Sequence, residues 1–149
     1  YAELGSKVGL DLVGFFDDDY ESQVNALVDE GIAVFYGFQT EPMPYYAAAD
    51  CVVLPSYHEG MANTNLECAA MGRPLITSRI PGCREAVIED KTGLLCQPQD
   101  VESLYAAMKQ FLELPHARRE AMGLAGRSHM EQIFDKRLVV ENTIAALNH

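Results

Sequence analysis

The chain has 149 residues, of which 48% are hydrophobic and 22% charged, a balance that suits one globular domain with a sizeable core. Its net charge of −11 repels phosphate backbones and argues against nucleic-acid binding, although local backbone dipoles can still hold a small anionic ligand. No run of residues reads as a secretory leader or approaches the roughly 18 apolar residues of a membrane span, so the expected location is cytoplasmic.

In chain order, "YAELGSKVG" reads as the last turn of a helix, its glycine cap and a turn, which implies further sequence ahead of Tyr1. "LDLVGFF", over 10–16, has the apolar run of a strand covered on both faces. "DDDYESQVNALVDEG" predicts a helix with an acidic start and a stop at Gly31. "IAVFYGF" predicts a second buried strand, and "EPMPYYAAAD" a short helix opening at prolines. "CVVLPS" is a third strand, with a helix over 59–71 after it. "PLITS" is a fourth strand, "GCREAVIED" a short helix and "TGLLCQP" a fifth strand. The pattern then becomes helical to the end. "DVESLYAAMKQFLEL" has Asp100 as its N-cap, "PHARREAMGLAGRSHMEQIF" opens on proline in its first turn, and "DKRLVVENTIAALN" closes the chain.

Short strands alternating with helices predict an α/β fold, a doubly wound parallel sheet with a helical C-terminal tail. Such sheets bind ligands at the carboxyl ends of their strands, which directs attention to the loops after Phe16, Phe38, Ser56 and Ser78. The four cysteines form no CxxC pair, and no histidine stands at zinc-finger spacing. Cys51 and Cys68 lie in apolar runs, and the cysteines are expected to be small buried hydrophobes.

The stretch "PSYHEGMANTNLECAAMGRP" carries the chemistry. If the helix begins near Gly60–Ala62, the free N–H groups of Gly60, Met61 and Ala62 face open space, and the helix dipole adds partial positive charge. Gly60 lets a ligand approach the backbone. Glu67 sits among Leu66, Ala69, Ala70 and Gly72, where a carboxylate needs hydrogen-bond partners, and the hydroxyls of a ribose diol would serve. Glu59 stands about two turns nearer the helix start, within ~12 Å by helical rise. The residues alone leave a plainer alternative open, in which Glu59 is a favourable charge at a helix start and Glu67 faces solvent.

These residues also resemble a known family. The run from Pro55 to Leu95 is similar to the C-terminal, donor-binding domain of retaining glycosyltransferases with the GT-B fold. Their E-x7-E motif is met by Glu59 and Glu67. The G-x-P-V/L-I element follows at Gly72–Ile76, a G-x-x-E element at Gly82–Glu85 and a T-G-L-L strand at Thr92–Leu95. Gly37–Phe38 and "YAAADCVVLPS" match as well.

The resemblance implies that Glu67 binds the ribose hydroxyls and that Glu59, as the catalytic-site residue, holds the transferred sugar. The Gly60–Ala62 backbone would cradle the distal phosphate, with Asn63 and Thr64 adding polar contacts. Gly37 and Phe38 would border the base. His58, Arg79 and Glu85 are further candidates, His58 for lining the loop or orienting Glu59. The donor would be a UDP- or GDP-linked sugar and the acceptor a glycan or lipid-linked molecule of capsule or lipopolysaccharide synthesis, with no cofactor and no metal. The intact protein could associate peripherally with the inner face of the membrane. The family's first strand of this domain, with its Arg and Lys pair, and its acceptor-binding domain would both precede Tyr1. Residues 1–149 would then be one nucleotide-sugar-binding domain lacking its first strand. Leu138, Val139 and Ile144 on the last helix would face solvent or a second copy of the chain.

Two other readings compete: a nucleotide-sugar epimerase of the same fold, and a non-catalytic module that pairs with a separate subunit. Asp17–Asp19 resembles a metal-binding D-x-D run, but as a helix start its acids suit the dipole equally well. His116, His129 and His149 are expected on solvent faces, and Tyr45–Tyr46 in core and rim packing.

Overall fold

The computed structural model describes residues 8–16 and 18–147, so the expectations placed on the first seven residues, on Asp17 and on His149 lie outside it. The chain forms two compact units, one running to Pro44 and the other starting at Tyr45.

In the first unit, β1 (Leu10–Leu12) pairs in parallel with β2 (Ala33–Phe35), Leu10 opposite Ala33 and Leu12 opposite Phe35. The crossover is α1 (Glu21–Asp29), with Glu21 in its first turn, where a carboxylate favours the dipole. Gly31 ends the helix at φ +69°, a left-handed conformation that costs glycine little. The strands are shorter than the apolar runs that announced them. Gly14 and Gly37 take positive φ just beyond the paired segments, and the Gly14 N–H donates to the Gly37 carbonyl at 3.0 Å. Burial on both faces is not found here: Asp11 and Val34 are exposed, and only Ala33 is fully buried. The Phe16 and Phe35 rings stack tilted at 4.9 Å.

The second unit begins within α2 (Met43–Ala48) and carries a parallel sheet in the order β3 (Val52–Leu54), β4 (Leu75–Ser78), β5 (Gly93–Cys96). β4 is central and wholly buried, as its unbroken apolar start suggests. On one face, Leu75 packs with Cys68, Ala69, Ala86, Val87 and Met130. On the other, Ile76, Leu94 and Cys96 pack with Ala107, Phe111 and Met122. The first face is covered by α3 (Asn63–Ala70) and the end of α5 (His116–Ile133), the second by α4 (Val101–Glu113) and the start of α5. Asp100 caps α4 as expected, its carboxylate accepting from the Ser103 N–H at 2.9 Å. The helix foreseen over 82–90 is a single 3-10 turn, Arg84–Ala86. All four cysteines are free, and burial pushes the Cys68 thiol up to about 12, the behaviour of a packed apolar side chain. Tyr46 packs against the first cluster.

The last helix, α6 (Lys136–Leu147), leaves Leu138, Val139 and Ile144 exposed, as foreseen, together with Val140 and Leu147. Among the described residues no helix is long and apolar enough to cross a membrane.

The approach of α5 to the α3–β4 connection depends on Gly123, where an added β-carbon would stand 2.0 Å from the Gly72 carbonyl oxygen. At Gly126, one turn on, the nearest atom would be 3.7 Å away. Gly123→Ala should therefore destabilise the protein by about 1–3 kcal/mol through overpacking. Gly126→Ala should stay within about 1 kcal/mol of the parent, because contact is ordinary and alanine favours the helix. Urea unfolding of both variants checks this, and equal midpoints would refute the close approach.

Candidate functional site

The site is built by the loops at the carboxyl ends of β3, β4 and β5. The loop over 55–62 does not extend α3 upstream. The helix begins at Asn63, with Ala62 as an N-cap that offers no side-chain acceptor. Glu59 therefore lies in the loop, and a helical rise does not measure its separation from Glu67, contrary to the expectation of two turns on one helix. No Ser, Thr, Asp or Asn stands at the cap to announce this start, so the sequence signal was weak.

Glu59 is half-buried, and its Oε1 accepts a hydrogen bond from the Ser56 hydroxyl at 2.8 Å. Ser56, which the sequence reading did not single out, thus holds the carboxylate, while His58 points into the same cleft from an exposed position. The cleft measures about 820 Å³ and is lined by Tyr57, His58, Glu59, Gly60 and, opposite them, Ile80–Pro81 and Pro98–Gln99. Gln99 sits there at φ +58°, a conformation uncommon for a side-chain-bearing residue.

Among the described residues, the backbone N–H groups of Gly60, Met61, Asn63 and Thr64 meet no hydrogen-bond acceptor. Ala62 departs from the expected set. It is 3% exposed, and its N–H donates to the Gly82 carbonyl at 2.8 Å, so it cannot also receive a phosphate. The free donors at the start of α3 are those of Asn63 and Thr64. A β-carbon on Gly60 would meet nothing within 4 Å, which leaves the space above the loop open. Glu67, half-buried on α3, makes no hydrogen bond through its carboxylate among the described residues. It lies four residues from Asn63, about 6 Å along the helix axis.

Gly82 holds the loop in place. Its φ is +87°, and an added β-carbon would stand 2.5 Å from the Glu59 carbonyl oxygen and 2.9 Å from that of Gly60. Its N–H donates to the Glu85 carboxylate at 2.8 Å. Glu85 therefore acts on the loop from beneath through Gly82. Burial pushes the Glu85 carboxyl up, but hydrogen bonds from its own N–H and from Gly82, with the Arg84 guanidinium beside it, more than offset this and leave it below the usual range. Arg79 does not project into the cleft. Its guanidinium pairs with Glu89, and Arg84 pairs with Glu85. His129 is half-buried instead of solvent-facing, with Nε2 3.1 Å from the Glu85 carbonyl oxygen.

Beneath these loops runs a buried polar chain. The Asn65 amide donates to the Thr77 hydroxyl at 2.9 Å, which donates to the Leu54 carbonyl at 2.9 Å. It ties the first turn of α3 to the ends of β3 and β4. Gly37 and Phe38 belong to the other unit. There Gly37 takes φ +68°, and the Phe38 ring, 66% exposed, meets Phe15 edge-on at 6.0 Å. Among the described residues no group of three or more His, Cys, Asp or Glu could hold a metal ion.

A charge pattern legible in the sequence went unread. Residues 8–72 contain eleven acidic side chains and no Lys or Arg, so the whole net charge lies in the segment that carries the site. An anion there depends on backbone N–H groups, not on the cations of that segment.

Comparison with known proteins gives three informative likenesses beyond a family model. The model, for glycosyl transferases group 1, matches residues 2–114. A glycogen synthase of Mycobacterium tuberculosis is 40% identical over 104 residues, 70% of this chain and 25% of the synthase. Sucrose-phosphate synthase from Thermosynechococcus elongatus superposes with a TM-score of 0.78 at 28% identity, over 93% of this chain and 37% of that one. Anabaena HepE, solved in complex with UDP, superposes at 0.80 with 21% identity, over 95% and 41%. The chain thus spans between a quarter and about two-fifths of the length of these proteins.

The Glu85–Gly82 contact makes a pH prediction. A carboxylate whose folded pKa is depressed stabilises the fold above its unfolded value, about 4.3, and loses that contribution as pH falls through the lower folded value. The stability difference between the parent and Glu85→Gln should accordingly be present at pH 5 and shrink as pH falls toward 3. Urea titrations across that range measure it, and a constant difference would contradict the role given to Glu85.

Proposed function

The chain belongs to the group 1 glycosyl transferases, and on that footing we propose that it supplies the donor site of an enzyme that moves a hexosyl unit, with retention, from a UDP- or GDP-linked sugar to a glycan or lipid-linked acceptor. The observation that carries this reading is one arrangement. Unbonded backbone N–H groups at the start of α3 stand between a carboxylate on the loop, Glu59, and a carboxylate on the helix, Glu67, that has no hydrogen-bond partner among the described residues. A nucleoside diphosphate sugar has the matching order: hydroxyls, diphosphate, hydroxyls.

In this reading Glu67 accepts hydrogen bonds from the ribose diol, whose protons satisfy a carboxylate that the fold leaves unpaired. The N–H groups of Gly60, Met61, Asn63 and Thr64 receive the distal phosphate. Charge grows on that phosphate as the bond from the sugar's anomeric carbon to its oxygen breaks. Fixed donors aimed at it lower the barrier without reorganising. The acceptor hydroxyl forms the new bond on the same face, and its proton passes to the departing phosphate oxygen, so this chain need supply no general base. Glu59, held by Ser56, fixes the sugar through its hydroxyls.

The names of the relatives agree with work on glycans and sugar phosphates, and the Anabaena protein binds UDP; both support the donor assignment. The proposed setting is polysaccharide synthesis of capsule or lipopolysaccharide type, on the cytoplasmic side of a membrane. The donor needs no metal in this scheme.

Saturation-transfer NMR with UDP, GDP, ADP and NAD tests the assignment. UDP or GDP should show transfer to ribose and base, and Glu67→Gln should remove it while circular dichroism stays unchanged. Unfolding of Glu67→Gln would make Glu67 a structural carboxylate. Absence of transfer from every nucleotide would reject the donor site.

A further inference from the structure

The lining of the cleft beside Glu59 selects among sugars. It presents one carboxylate, one imidazole, one amide and one phenol, set against the apolar surfaces of Ile80, Pro81 and Pro98, and among the described residues no Lys or Arg lines it. No cation can be drawn from the flanking sequence of the loop, because residues 8–72 hold none. The next guanidiniums along the chain, Arg73, Arg79 and Arg84, are engaged by the Ala49 carbonyl, Glu89 and Glu85 respectively, and none of them lines the cleft. Glu59 is fixed as an acceptor by the Ser56 hydroxyl at 2.8 Å.

We infer that the cleft takes an uncharged hexose and rejects a hexuronate or a phosphorylated sugar. This deepens the donor-site reading and rests on it. A neutral pyranose has what the walls can use. Its hydroxyls donate to Glu59 and exchange hydrogen bonds with Gln99 and His58, and its C–H face lies on proline and on the Tyr57 ring, which is 59% exposed at the rim. A carboxylate on the sugar would instead enter within a Debye length, about 8 Å, of Glu59, with no cation on the walls to receive it. A bidentate partner such as arginine is the usual device for binding a carboxylate, and the lining lacks one.

Glu59 thus plays two parts: it holds the sugar's hydroxyls and excludes negative charge. The second part needs no contact with the rejected group, because like charges repel through the open cleft. Removing the charge while keeping the shape should therefore relax the exclusion before it abolishes binding of the nucleotide.

The test is competition binding on the 149-residue chain at pH 8, followed by saturation-transfer NMR. UDP, UDP-glucose and UDP-glucuronate are compared, as are GDP, GDP-mannose and GDP-mannuronate. The neutral conjugate of the nucleotide that binds should outcompete its hexuronate partner by about tenfold, equivalent to about 1.4 kcal/mol. In Glu59→Gln that ratio should fall to less than about threefold, with the parent diphosphate still bound. A hexuronate conjugate that binds as tightly as its neutral partner, while the diphosphate binds, overturns the inference and leaves the donor site standing. Failure of every diphosphate to bind overturns the donor-site reading, and the inference falls with it.

Discussion

The loop that carries Glu59 crosses Gly82 so closely that no residue with a β-carbon fits there; the added atom would stand 2.5 Å from the Glu59 carbonyl oxygen. The rest of the site depends on that crossing. The Gly82 carbonyl takes the Ala62 N–H, which ends the loop and delivers the chain to the first turn of α3. The Gly82 N–H is held by Glu85 in turn, so a residue outside the cleft sets the height of its floor. The Asn65–Thr77–Leu54 chain then fixes α3 against β3 and β4 from below. Buried polar groups are costly when unpaired, so the helix start has little freedom to slide relative to the strand ends. Free N–H groups are consequently presented at one place on the surface, between two carboxylates.

That placement resolves an apparent conflict between charge and ligand. A segment with eleven acids and no basic side chain is a poor place for a diphosphate by net charge alone. Net charge acts at long range and is screened within about 8–10 Å in physiological salt, whereas an N–H group acts at hydrogen-bond distance. Local donors therefore decide what docks at the start of α3. In the adjoining cleft, whose described lining has no cationic side chain, the carboxylate of Glu59 is proposed to decide what is kept out.

Much of this was legible in the residues. The alternation of apolar runs with amphipathic stretches predicts the parallel α/β class, and the Asp100 cap places the start of α4. The resemblance, through its E-x7-E motif, points to Glu59 and Glu67 as candidates for the site. Three things were not legible. The strands β1 and β2 are three residues long, with Gly14 and Gly37 at positive φ just beyond them, and an apolar run does not reveal where regular pairing stops. The start of α3 was misplaced because Ala62 caps it without a side-chain signal. The engagement of Ala62 by Gly82, twenty residues on, and of Glu59 by Ser56 are tertiary facts: the first joins two loops, and the second depends on the bend of one. The expected α/β class of parallel strands with flanking helices and a helical C-terminal tail is found, the described strands pairing within each of two units.

The central claim is that the start of α3, flanked by Glu59 and Glu67, receives a nucleoside diphosphate. Amide-resolved NMR of the labelled chain, titrated with UDP and separately with GDP, tests it most directly. The account predicts the largest shifts at the N–H groups of Gly60, Met61, Asn63 and Thr64, with a smaller change at Glu67 and little at Ala62, whose N–H is already bonded. Shifts concentrated instead on α4, α5 or α6, with the Gly60–Thr64 amides unmoved, would contradict it.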